Sequence, residues 1–126
     1  MPTVLYADDE HEHRLMMQVI LKNKEITLLE AANGEEAIEE AKRLRPDLIL
    51  LDLFMPKVDG FGVLEAVKAD PTTQHIPVII LSAWPTGDNR QRARNSGAAD
   101  FLAKPYDPLQ LMKVVKEHLS LSLSQP

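Results

Sequence analysis

The chain has 126 residues, 44% of them hydrophobic and 26% charged, which suits one soluble domain with a single core. A formal net charge of −5 disfavours nonspecific nucleic-acid binding, and the absence of cysteine excludes disulfides and thiolate zinc sites. No apolar run approaches the roughly 20 residues of a membrane span. The N-terminus lacks the basic-then-apolar lettering of a signal peptide, so the simplest reading is a cytoplasmic protein.

Apolar runs and amphipathic stretches then alternate five times. TVLYA (3–7) reads as a short strand, and 8–23 as a helix with Leu15, Met16, Val19 and Ile20 at helical spacing. ITLLEA (26–31) is a second strand. The next helix opens with Asn33 as N-cap and Glu36 three residues on, a variant of the capping box, and aligns Ala37, Ile38, Ala41 and Leu44. PDLILLD (46–52) is the third strand. The third helix, 59–70, aligns Phe61, Leu64 and Val67 and is ended by Asp70-Pro71. IPVIILSA (76–83), apolar almost throughout, is a fourth strand buried on both faces. Residues 86–97 carry Ala93 as their one apolar side chain and close on Gly97 as C-cap. AADFLAK (98–104) is a fifth strand, and 107–119 a fifth helix with Asp107 at the N-cap and Pro108 in the first turn. The domain is expected over residues 1–121, with 122–126 a short frayed tail.

Five βα units in succession imply an α/β fold: a doubly wound, five-stranded parallel sheet with helices on both faces. A common order for such sheets is 2-1-3-4-5, and ligands then bind beside strands 1 and 3 at the carboxyl ends. Asp8 and Asp9 end strand 1, Asp52 strand 3, Ser82 strand 4 and Lys104 strand 5, so one rim gathers all five. Three carboxylates together repel strongly, since two unit charges about 5 Å apart cost roughly 3 kcal/mol at an effective dielectric near 20. A divalent cation and the Lys104 ammonium would balance them. Oxygen-only donors in an open site favour Mg²⁺. Asp52, an acid closing an otherwise aliphatic strand, can then act as a nucleophile toward phosphorus, with Lys104 and the Ser82 hydroxyl serving the phosphoryl oxygens.

At these residues the sequence resembles a response-regulator receiver domain of two-component signalling, which has the flavodoxin-like fold. The resemblance spans about residues 3–119 and rests on ADDE after strand 1, LLDLFMPKVDG around strand 3, LSA after strand 4 and GAADFLAKP through strand 5. It implies that Asp52 is the phospho-acceptor and that Asp9, Asp52 and the Phe54 backbone carbonyl bind Mg²⁺, with Asp8 helping through water. It also implies that Lys104 pairs with the phosphoryl group, that Ser82 hydrogen-bonds it, that Phe101 is the aromatic switch residue and that Lys104-Pro105 is cis. The partners implied are a histidine kinase or phosphotransfer protein and a downstream protein reached through helix 4, strand 5 and helix 5, with no direct nucleic acid and no membrane. Such a domain catalyses its own phosphorylation from phosphodonors and its own dephosphorylation, and is not a conventional metabolic enzyme.

Several residues have plainer readings. Asp8, Asp9 and Glu10 can be helix caps, His11 and His13 solvated groups near a helix start, and Arg90, Arg92 and Arg94 either a docking face or a solvated one. The sparse apolar face of helix 4 suits a segment that shifts. Trp84 is either a loop aromatic covering core or, with Phe54, a shield limiting water access to a phosphoryl group. Gly60 and Gly62 lack the third glycine of a dinucleotide fingerprint, where Glu65 stands. The alternatives are a receiver fragment of a longer regulator, a phosphorylation-independent adaptor, or an Asp-nucleophile phosphatase. The phosphatase would want D-x-D where this chain has adjacent Asp8-Asp9.

Overall fold

The computed structural model describes residues 2–22 and 25–124. Five parallel strands, β1 (Thr3–Ala7), β2 (Thr27–Ala31), β3 (Leu48–Asp52), β4 (Val78–Ser82) and β5 (Asp100–Ala103), form one sheet in the order β2-β1-β3-β4-β5. Between and after them run α1 (His11–Leu21), α2 (Gly34–Leu44), α3 (Gly60–Ala69), α4 (Gly87–Asn95) and α5 (Pro108–Ser124). This is the doubly wound α/β fold expected from the lettering.

Strand alternation divides the core in two. Leu5, Ala7, Ile49, Leu51, Val78 and Ile80 face α2, α3 and Ala93 of α4. Val4, Tyr6, Leu48, Leu50, Ile79 and Leu81 face α1 and α5. Both β3 and β4 are buried along their whole length, as continuous aliphatic runs require.

Caps fix where helices begin. Asn33 Oδ1 accepts from Glu36 N–H at 2.8 Å, while Glu36 Oε1 accepts from Ala32 N–H at 3.2 Å, one residue earlier than in a full capping box. Asp59, Thr86 and Asp107 cap α3, α4 and α5 in the same manner. Gly34, first in α2, lies so close to the β3–α3 loop that a Cβ there would overlap the Val58 carbonyl oxygen. Gly97, at φ 99°, follows α4 in a conformation that favours glycine.

Two expectations need correction. The apolar letters of α1 sweep about 240° of its circumference at 100° per residue, wider than the sheet can cover. The sheet takes Met17 and Leu21, with Ile20 packed beside them, and leaves Leu15, Met16 and Val19 exposed. The fifth helix, expected over 107–119, continues to Ser124, since neither Gly nor Pro interrupts it before Pro126; residues 125 and 126 lie outside the described residues.

Helix α4 is held differently from its neighbours. Ala93 is its one buried side chain. Arg92 stacks over the Phe61 ring, 4.0 Å from its centroid, and Arg90 over Phe101 at 4.9 Å. Each such stack is worth about 0.5–1 kcal/mol when exposed, against about 1.5–3 kcal/mol for one buried aliphatic side chain. The attachment is weak.

Candidate functional site

Parallel register brings four strand ends to one rim. Ala7 pairs with Leu51, Asp52 with Leu81 and Ser82 with Ala103, so Asp8, Asp52, Ser82 and Lys104 arrive together. Carboxylate oxygens of Asp8, Asp9 and Asp52 lie within 4.8 Å of one another, Asp8 and Asp52 buried and Asp9 exposed. The Lys104 ammonium stands 3.2 Å from Asp8 Oδ2 and 3.2 Å from Asp52 Oδ1. The Lys104-Pro105 bond is cis, as the resemblance implied.

The two buried acids are held unequally. Asp8 Oδ2 accepts from the Tyr6 phenol at 2.6 Å, lies 3.0 Å from His13 Nδ1 and takes the Lys104 contact, while Oδ1 accepts from Glu10 N–H at 2.9 Å. Burial pushes the Asp8 carboxyl up, but Tyr6, the Glu10 amide and Lys104 outweigh it and hold Asp8 below the ordinary carboxylate value. Asp52 has Lys104 alone as a hydrogen-bonding partner among the described residues. Burial pushes its carboxyl up to about 6, Lys104 only partly opposing, while the charges of Asp8 and Asp9 add to the rise.

Ser82 is fully buried, and its Oγ accepts from Trp84 N–H at 2.9 Å, so the hydroxyl keeps its own proton to donate. Phe101 is half-buried against the α2–α3 core and beneath Arg90. Phe54 and Trp84 follow β3 and β4 with exposures of 49% and 62%, so Trp84 does not cover core. The acids are not helix caps either: the Glu10 side chain makes no capping bond, and Asp8 accepts from Glu10 rather than from the first turn of α1.

Sequence reasoning missed two residues here. Tyr6 shares a strand face with Asp8, two positions on, and that spacing was the available signal. His13 is not merely solvated: Nε2 lies 2.8 Å from Glu10 Oε2, and Nδ1 lies 3.4 Å from Lys104 Nζ. His11, by contrast, is exposed. The crevice holds three carboxylates against one lysine, all its acid donors are hard oxygens, and Asp9 leaves it open to solvent. That donor set fits a divalent cation such as Mg²⁺.

Comparison with known proteins agrees with this geometry. Residues 4–116 match the response regulator receiver domain, and the chain belongs to that family. It is 38% identical over 113 residues to the response regulator PleD of Caulobacter vibrioides, covering 90% of this chain and 25% of PleD. The chain thus spans about a quarter of that relative's length. It is 32% identical over 118 residues to sporulation initiation phosphotransferase F of Bacillus subtilis, covering 94% of each. Among solved structures, the signal receiver domain of a signal transduction histidine kinase from Syntrophus aciditrophicus superposes with a TM-score of 0.91 at 29% identity, covering 100% of this chain and 96% of that one. The protein is a receiver domain of two-component signalling. No helix among the described residues is long and apolar enough to cross a membrane.

Proposed function

We propose that the chain accepts a phosphoryl group on Asp52 from a histidine kinase or phosphotransfer protein, with Mg²⁺ in the acid crevice, and signals by protein contact. The reading rests on Asp52 itself, a buried strand-end carboxylate 3.2 Å from Lys104 and clustered with Asp8 and Asp9. Asp9, Asp52 and the Phe54 carbonyl would hold the cation, and Asp8 would act through water. When bound, the cation draws charge off the phosphoryl oxygens.

An Asp52 oxygen attacks phosphorus as the P–N bond to the donor imidazole breaks. The electron pair stays on the imidazole, which takes up a proton, and an acyl phosphate remains on Asp52. Lys104 then pairs with one phosphoryl oxygen and the Ser82 hydroxyl donates to another. Hydrolysis of the acyl phosphate resets the protein. The donor's approach is supported by the exposed Leu15, Met16 and Val19 of α1. Met16 also lines a cavity of about 430 Å³, together with Ile20, Lys104 and Tyr106. Output runs through α4, β5 and α5, where Phe101 serves as the switch. Incubation with acetyl phosphate and Mg²⁺ should label the protein, and excess chelator should abolish the label. A folded protein that takes no label under either condition overturns the reading.

A further inference from the structure

Tyr6 is fully buried in β1, and the proposed phosphoryl transfer makes no use of it. A buried phenol needs a partner, and a hydroxyl reaching any nearby backbone carbonyl would satisfy that need. Tyr6 instead donates to Asp8 Oδ2 at 2.6 Å, the shortest of the bonds that Asp8 receives. The other two groups on that oxygen belong to side chains with other attachments. Lys104 is shared with Asp52, and His13 is shared with Glu10. Tyr6 alone donates from within the sheet.

A carboxylate offers about four lone-pair sites. Three groups crowd Oδ2 and one amide takes a site on Oδ1, which leaves Asp8 one acceptor site, on Oδ1. Lys104 is also the group that a phosphoryl on Asp52 would attract. Once it leaves, buried Asp8 must keep its orientation with one donor fewer.

We propose that Tyr6 is a positioning residue for the cation site, its hydroxyl pinning Asp8 Oδ2 so that Oδ1 alone serves a cation-bound water. This rests on the Mg²⁺ reading above. Supporting partners of this kind typically change metal affinity 10- to 100-fold when removed.

The test is Mg²⁺ titration by calorimetry on the wild-type protein, Tyr6→Phe, Asp8→Asn and the double variant, with urea midpoints recorded for each. Tyr6→Phe should bind Mg²⁺ about tenfold more weakly, and the same change made on Asp8→Asn should have little further effect, the mark of two residues acting through one contact. Equal losses in both backgrounds, or an unchanged Mg²⁺ affinity in folded Tyr6→Phe, overturn the proposal while leaving the cation reading intact. Wild-type protein that takes up no Mg²⁺ removes both. Proton NMR of the wild type keeps the question decidable should Tyr6→Phe not fold. The buried Tyr6 hydroxyl should give a slowly exchanging downfield resonance that moves on Mg²⁺ addition, and a resonance that stays put refutes the proposal.

Discussion

Lys104 divides one ammonium equally between Asp8 and Asp52, 3.2 Å from each, yet the two acids differ in character. Asp8 is also held below the ordinary carboxylate value by the Tyr6 phenol and the Glu10 amide, whereas Asp52 has no other hydrogen-bonding partner among the described residues and is pushed up to about 6. The crevice thus keeps Asp52 the less stabilised carboxylate of the pair.

That inequality sets a pH dependence. Asp52 keeps its proton up to about pH 6 in the folded protein, while the unfolded chain releases it near 3.8. The folded state therefore binds more protons in that window, and the stability of metal-free protein falls as pH rises through it. Asp52→Asn should raise metal-free stability at pH 7 by on the order of 2 kcal/mol, and by little at pH 4. Urea midpoints in chelator at both pH values measure this, and an Asn variant no more stable at pH 7 contradicts it.

The same substitution removes the proposed nucleophile. Labelling of Asp52→Asn from acetyl phosphate with Mg²⁺ should vanish. A base-labile phosphate on that variant would move the acceptor elsewhere.

Asp9 is exposed, so Asp9→Ala should fold as the wild type does. It should lose at least tenfold in Mg²⁺ affinity, since an oxygen ligand and a negative charge go together. Calorimetry reads the difference, and an unchanged isotherm would put the cation somewhere else.

Lys104→Arg keeps the charge but replaces a compact ammonium with a planar fork. Phosphorylation should survive in part, while the beryllofluoride-induced change in α4 amide exchange should shrink. A full wild-type exchange response in this variant would free Lys104 from any switching role.

Trp84 lies beside the site, its amide bonded to Ser82 and its ring mostly exposed. Its fluorescence should change in steps on adding Mg²⁺ and then beryllofluoride, and Trp84→Ala should lose its phosphate severalfold faster. A constant signal together with an unaltered decay rate would count against shielding.

The sheet order and the convergence of Asp8, Asp9, Asp52, Ser82 and Lys104 were legible because each residue closes a strand, and parallel topology aligns strand ends. Tyr6 was hidden because tyrosine is an ordinary strand former, and its hydroxyl matters only once Asp8 is known to be buried. His13 was hidden because its direction depends on how α1 rolls on the sheet, and an apolar arc wider than the contact leaves that roll undetermined. The arginines of α4 were undecided for a related reason: their aromatic partners, Phe61 and Phe101, are remote or on another element, so local lettering carried no sign of them.

Gly34 has a mechanical meaning as well as a steric one. With no side chain between the start of α2 and the Val58 carbonyl, that flank of the sheet is clamped backbone to backbone, and the β3–α3 loop beside Asp52 is braced from behind. The opposite flank hangs on Ala93 and two stacked arginines. Compliance is therefore one-sided, since segments with few buried apolar contacts open at the lowest free energy. A load applied at Asp52 meets a stiff wall toward α2 and yields toward β5 and α4, so the direction of displacement is set by the unequal stiffness of the two edges.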